Sequence, residues 1–453
     1  MKVLKFGGTS VGSVESLLNV KKITESIDGD TVIVVSALGG LTDRLIATAR
    51  MAADGDDNYR LEMEAISSRH FNIISNVVDD SKRARVISVV SGLLAELKRN
   101  YDGVFLLRDL PSRTLDTIVS FGERMSSVIV GAMIDGASLH DSMEFIKTEK
   151  WFSKDIADQK LTSRLIREEF KGFSGKAVCP GFISTDKKSG EITNLGRGGS
   201  DFSAALIAAA LNADVLEIWT DVDGFMTADP RIIPESIVVS HMTFVESMEL
   251  CSFGAKVIYP PTIYPVFHKN IPIRILNTFN PSAPGTLITD IAMPDDLEIK
   301  GISAIRGTSL FSLSGKAAQN TPMINSRTFN AMARMGIKVF LVSGPDGAHE
   351  FTFAVSDTDA DNALHTLKSE FAPELANGSL AEPLHTDRLA TVAVVGVNMR
   401  SRNRLSARII NTLRRNSIDV AAFSYGVSDT TISFVVPLDE TDHALRLIHS
   451  LIY

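Results

Sequence analysis

At 453 residues the chain has room for roughly three folding units of about 150 residues, and its 46 Lys plus Arg against 54 Asp plus Glu leave a net charge of −8. That mildly acidic balance argues against nucleic acid as a main partner, and no window approaches the roughly 18 apolar residues of a membrane span. Cys179 and Cys251 lie far apart and outside any CxxC pair, so neither a disulfide framework nor a structural zinc site is expected. The N-terminus reaches glycines before a signal-peptide stretch could form, and two thiols suit a reducing cytoplasm.

The first two-thirds of the chain alternates short apolar runs with helical patterns, as a sheet covered by helices does. Val3-Leu4-Lys5-Phe6 is expected to be a strand, Gly7-Gly8-Thr9-Ser10 a tight turn, and Ser13 to Ile27 an amphipathic helix. Thr31 to Val35 is nearly continuous apolar sequence, like a buried parallel strand; the loop Ser36 to Gly40 and a helix from about Thr42 follow. Phe121-Gly122-Glu123-Arg124 is expected on or near a helix start. Phe182-Ile183 looks like strand, and Asp186 to Gly190 like a hairpin tip. After Gly196-Arg197-Gly198-Gly199, Ser200 or Asp201 can cap a small-residue helix running from Phe202 to Leu211. Val215 to Trp219 predicts another strand, emptying into Thr220-Asp221-Val222-Asp223-Gly224, and Thr286 to Ile288 is a last strand-like piece. The linker Met293-Pro294-Asp295-Asp296 sets the main boundary near residue 295.

Beyond it lies an internal repeat. Gly336-Ile337-Lys338-Val339 matches Ser417-Ile418-Asp419-Val420, and Phe353-Ala354-Val355 matches Phe434-Val435-Val436, both at an offset of 81 residues. Each copy predicts strand, helix, strand, strand, helix. Two such units suggest paired regulatory modules rather than a solenoid.

There is no GxxxxGK[ST] loop and no strand-linked GxGxxG. The nine histidines show no metal-protease spacing, and a lone one such as His70 or His140 is expected at the surface or as a cap. Three turns stand out instead. In the first, Lys5 and the glycine turn would place an ammonium and backbone N–H groups around an anion, or form a plain turn with a solvated lysine. In the second, three glycines around Arg197 leave its guanidinium open to a carboxylate or phosphate, or form a flexible loop. In the third, Asp221 and Asp223 could hold Mg²⁺ or ribose hydroxyls, or only shape the turn. Glu123 alone would pass for a solvated charge, Lys256 for an ordinary lysine after Gly254, and the arginines from Arg400 to Arg415 for a solvated face.

Together and in this order, these pieces resemble the aspartate kinase (aspartokinase) branch of the amino-acid kinases. The matching stretches are Lys5 to Val11, Val35-Ser36-Ala37 with Thr42, Gly122-Glu123, Gly196 to Asp201, Trp219 to Val222, Asp229-Pro230-Arg231 and Phe253 to Val257. The repeat resembles the family's tandem ACT domains. The resemblance implies an α/β, three-layer amino-acid-kinase domain over residues 1–295 and two α+β, ferredoxin-like ACT domains over 299–385 and 386–453. It implies phosphoryl transfer from ATP, carried with Mg²⁺, to the β-carboxylate of L-aspartate, an early step of lysine, threonine and methionine biosynthesis. Lys5, Gly8 and Asp201 would be catalytic, with Lys5 on the transferring phosphoryl group and Asp201 orienting the reacting groups. Thr42, Glu123, Arg197 and Ser200 would bind aspartate, Glu123 at its amine and Arg197 at a carboxylate. Lys5, Gly7, Gly8, Thr9, Ser10, Thr220, Asp221, Arg231 and Lys256 would contact the nucleotide.

The resemblance also implies a homodimer or higher homo-oligomer, with feedback by an amino acid at the ACT modules. Two departures qualify it. Met226 stands where many members have Tyr beside the nucleotide, and Phe340, with Pro345 nearby, replaces an acidic residue of lysine-inhibited members, which leaves threonine as a possible effector. Ending at Tyr453, the chain would lack the homoserine dehydrogenase half fused to some relatives. Two competing readings are a kinase for another acceptor such as acetylglutamate, and a catalytically silent amino-acid sensor. A substrate panel separates the first and an ADP-release assay the second.

Overall fold

A computed structural model describes residues 1–453 except 152–153, 294–296, 316–320, 344–349, 398, 400–402, 426–428 and 453. Three residues of the expected linker, Pro345, Arg400 and Arg402 therefore lie outside the described residues. The rest divides into two units. The first comprises Met1–Phe225, Ser240–Phe244 and Val257–Ile291, and the second Met226–Val239, Val245–Lys256 and Ala292–Tyr453.

The first unit is built on an eight-stranded sheet. Its centre is Lys2–Phe6, flanked in parallel by Thr31–Val35 and Val215–Thr220; Lys176–Pro180 continues beyond Thr31–Val35, and Ile273–Asn277 beyond Val215–Thr220. Every residue of Thr31–Val35 is buried, as the unbroken apolar run requires when both faces of a parallel sheet are covered. Alternate residues meet different layers. Leu4, Phe6, Ile33 and Val35 join a core with the helices Val14–Glu25, Leu41–Asp54, Tyr59–Val77, Asp80–Leu107 and Ser112–Met133. The helix Gly199–Leu211, almost entirely buried, packs on the same two central strands. A four-stranded sheet, which includes the hairpin of Ile183–Asp186 with Ile192–Asn194, stands beside this sandwich.

Three local expectations are corrected. Phe121 to Arg124 lies in the middle of Ser112–Met133, because Gly122 does not break the helix; its missing Cβ lets the helix close on Ala37, whose Cβ would sit 2.7 Å from an added one. The helix expected from Phe202 starts at Gly199, capped by Gly198 in the left-handed region with no side-chain cap, so Ser200 and Asp201 lie inside its first turn. His70 is fully buried rather than a surface group, with Nδ1 2.7 Å from the carbonyl of Ile66.

The second unit carries a six-stranded antiparallel sheet. The repeat is visible element by element: Leu341–Ser343, Glu350–Ser356 and Ala360–Glu370 recur as Ala422–Tyr425, Thr431–Pro437 and Thr441–His449. The long strand Ile299–Ser314 serves both copies. Ile299 and Ile302 pack in the core of the second with Val392, Leu405 and Ile409, whereas Phe311 and Leu313 pack in the core of the first with Phe353 and Leu367. Gly307 at φ 74°, beside a register shift, turns the strand from one core to the other. Leu405, Ile409 and Leu413 face inward on Asn403–Arg415 and leave Arg408, Arg414 and Arg415 exposed.

Candidate active site

Parallel register sets the site. Phe6 lies level with Val35 and Trp219, and Val35 with Pro180, so the turns after four strands leave the sheet at one carboxyl edge, where open α/β sheets bind ligands. They are tied to one another at the base. The N–H of Gly7 donates to the carbonyl of Trp219 at 3.1 Å, that of Ser36 to Phe6 at 3.2 Å, and that of Gly181 to Val35 at 2.9 Å.

Lys5 and Asp201, far apart in sequence, meet here. Lys5 Nζ is 2.5 Å from Asp201 Oδ1, and both side chains are nearly enclosed. Gly7 stands directly above, where an added Cβ would lie 3.5 Å from Lys5 Nζ. Gly8 packs against the next loop: its Cβ would lie 3.2 Å from the carbonyl oxygen of Ala37, and that of Gly39 would lie 3.0 Å from the Gly8 oxygen. The N–H groups of Gly8, Thr9 and Ser10 have no acceptor among the described residues, and those of Ser200 and Asp201 at their helix start have none either. Orphan donors of this kind, at a helix start or on a glycine turn, suit an anion.

Glu123 is the third buried charge, 4% exposed. Its Oε1 accepts from the N–H of Ala37 at 3.0 Å, and its Oε2 meets no partner among the other described residues. Burial pushes its pKa up to about 8, against the lowering effects of the Ala37 bond and of the Lys5 charge. It is an acceptor held in place with capacity left for a cation.

Other expected residues differ in setting. Ser200 is buried and stacks on Gly181, where an added Cβ would come within 2.7 Å of the serine Cβ. Ser10 is fully buried, donating to the Trp219 carbonyl at 3.2 Å and sharing a 2.7 Å bond with Thr278, which pins the turn. Thr9 and Arg197 are exposed, Thr42 half-buried in the first turn of its helix, and Arg197 has no partner among the described residues. Thr220 donates to Asp221 at 3.2 Å. Arg231 and Lys256 belong to the second unit and are exposed, Arg231 paired with Asp229 at 2.6 Å.

Sequence reasoning missed the support beneath the Arg197 loop. Phe182 adopts φ 67°, its N–H donating to Ser203 Oγ at 3.0 Å and its carbonyl accepting from Leu195 at 2.9 Å. Asn194 bridges that loop to a helix, accepting from Gly196 N–H and donating to Asp116 at 2.5 Å. The positive φ of Phe182 leaves no trace in sequence.

The description "Amino acid kinase family" matches residues 1–277, and "ACT domain" matches residues 392–451. The bifunctional aspartokinase/homoserine dehydrogenase of Haemophilus influenzae is 32% identical over 470 residues, covering 100% of this chain and 56% of that protein. The chain spans about half the length of the first curated relatives it matches. The structure of E. coli aspartokinase III in complex with aspartate and ADP superposes with a TM-score of 0.84 at 25% identity, covering 99% of each chain. Clostridium acetobutylicum aspartate kinase gives 0.82 at 25% identity, covering 100% of each.

Proposed function

The chain belongs to the amino acid kinase family and carries an ACT domain, and from that premise we propose that it transfers the γ-phosphoryl group of ATP to the β-carboxylate of L-aspartate. The observation that carries this reading is the enclosed Lys5–Asp201 pair under an orphaned glycine turn, with the buried Glu123 charge sensing the same lysine.

A carboxylate with an ordinary pKa near 3.9 is ionised at neutral pH and needs no general base. The difficulty is bringing one anion to another, so catalysis rests on positioning and on positive charge aimed at the phosphoryl oxygens. Asp201 fixes the Lys5 ammonium beneath Gly7, against the phosphoryl group in flight, and orients the reacting groups. Gly8, Thr9 and Ser10 offer backbone donors to the phosphates, Gly7 leaves room for the Lys5 ammonium beside them, and the Ser10 side chain anchors that turn. Glu123 takes the aspartate ammonium, which favours its ionised form, and Arg197 with Thr42 and Ser200 takes the carboxylates. Thr220 and Asp221 line the nucleotide side; for Arg231 and Lys256 a nucleotide role rests on the family motif alone.

Among the described residues no three His, Cys, Asp or Glu side chains converge on a metal. Magnesium asks for less, one or two carboxylates beside substrate phosphates, and the exposed Asp221 fits that demand. Bound there with the nucleotide, the ion would neutralise phosphate charge.

Residues 1–295 would form the kinase domain, with the ACT domains at 299–385 and 386–453 sharing the long strand. The ACT modules would bind an amino-acid effector, and the chain would act as a homodimer or larger homo-oligomer in the cytoplasm. ADP release tests the reaction: with Mg-ATP it should depend on aspartate and not on acetylglutamate or carbamate. Aspartate-independent or absent ADP release would overturn it.

A further inference from the structure

Arg69 lies on the helix Tyr59–Val77, outside every motif that led to the site. Its Nη2 donates to two carbonyl oxygens, that of Gly12 at 2.9 Å and that of Gly39 at 2.8 Å. The two carbonyls end different loops, one following the strand Lys2–Phe6 and the other following Thr31–Val35. These are the loops whose backbones touch at Gly8 and Gly39 with no side chain between them. The first carries the orphan N–H groups of Gly8, Thr9 and Ser10; the second carries the Ala37 N–H that holds Glu123.

Arg69 has no carboxylate partner among the described residues, and the nearby Arg44 is itself paired with Glu62 at 2.6 Å. A half-buried guanidinium without a counter-ion is costly, and burial together with the Arg44 charge does lower its pKa. A surface solubilising role would not place it there. Two carbonyl dipoles drawn to one cationic nitrogen, by contrast, lose the repulsion they would have side by side, and bonds to a charged donor are the stronger kind.

We propose that Arg69 is a positioning residue that clamps the Gly7–Gly12 loop to the Ser36–Gly40 loop and so fixes the anion cradle relative to Glu123. This extends the reading given under Proposed function and depends on it only for the acceptor. The clamp acts on nucleotide phosphates first, whatever carboxylate receives the phosphoryl group.

The test uses the full chain as Arg69→Met, which keeps the aliphatic stem, and as Arg69→Lys. Mg-ADP affinity is measured by calorimetry, amide exchange at residues 7–12 and 36–40 by mass spectrometry, and melting temperature as a control. Arg69→Met should weaken Mg-ADP binding roughly tenfold to a hundredfold, the scale of a lost charge-assisted hydrogen bond, and speed exchange in both loops together. Free guanidinium ion should restore part of the affinity, and Arg69→Lys should fall between. Unchanged Mg-ADP affinity with unchanged exchange in a folded Arg69→Met protein would overturn the clamp. So would a loss that follows the melting temperature and responds neither to guanidinium nor to the lysine variant. Nucleotide binding without aspartate phosphorylation in the unsubstituted protein would instead overturn the functional reading and leave the clamp standing.

Discussion

The strand edge of the first unit and the paired repeats of the second hold their ion pairs differently. In the first, Lys5, Asp201 and Glu123 are enclosed at the carboxyl edge of the sheet, with side-chain exposures of 11% and 12% for the lysine–aspartate pair. In the paired repeats of the second, ion pairs such as Arg306–Asp442 and Arg334–Glu370 lie at or near the surface, over cores made of Ile302, Val392, Ile409, Phe311 and Phe353. Enclosed charge is a poor way to stabilise a fold, because desolvation offsets much of the attraction. Charged residues such as Glu217, Glu246 and Lys300 are buried elsewhere, but the gathering of a buried lysine, aspartate and glutamate beside one glycine turn marks a place shaped for chemistry.

Breaking that contrast should give effects of very different kinds. The largest is expected from Lys5→Ala, which should lower kcat by about 10²–10³-fold, as loss of one preorganised electrostatic donor does, with a much smaller rise in the KM for aspartate. A large KM effect at constant kcat would assign Lys5 to ground-state binding. In the second repeat, Ile409→Ala should cost about 2–5 kcal/mol by opening a cavity among Leu405, Leu413 and Phe434; denaturant titration that finds under half of that would mean the core is loosely packed. Arg197→Ala should raise the KM for aspartate roughly tenfold to a hundredfold with kcat nearly kept, and unaltered aspartate saturation would remove Arg197 from the clamp.

Glu123 gives a subtler, pH-dependent signature. Its folded pKa of about 8 exceeds the ordinary 4.5, so between those values the native state holds a proton that the unfolded chain has released. Stability should therefore fall as pH rises through that window. Glu123→Gln should flatten this dependence in thermal melts of the ligand-free protein, and should also abolish the tightening of aspartate binding as the carboxyl ionises near pH 8. Melts of equal slope in both proteins would contradict the buried-acid account. The smallest effect is expected at the surface, where Asp442→Asn should change stability by under about 1 kcal/mol.

Much of this site was legible because its parts are local. A lysine ending a strand before paired glycines, and an arginine among three glycines before a small-residue helix, declare themselves over six or seven residues. That Lys5 meets Asp201, at the start of that helix, at 2.5 Å follows from parallel strand order, which the alternating pattern supports but does not number. Glu123 looked like a solvated charge because burial of one acid in a helix depends on Ala37, 86 positions away. Arg69 was illegible for the same reason: its acceptors are main-chain oxygens, which carry no residue identity. The shared strand Ile299–Ser314 blurred the repeat boundary, since β-alternation runs through Gly307 without marking which core each half enters.

Trapping the product with hydroxylamine tests the central claim most directly, because an acyl phosphate is converted to a stable hydroxamate. With Mg-ATP and L-aspartate the protein should form the β-hydroxamate of aspartate in step with ADP release, and Lys5→Ala should all but abolish both. ADP release without hydroxamate, or full hydroxamate formation by the Lys5→Ala protein, would contradict a lysine-centred cradle that joins two anions.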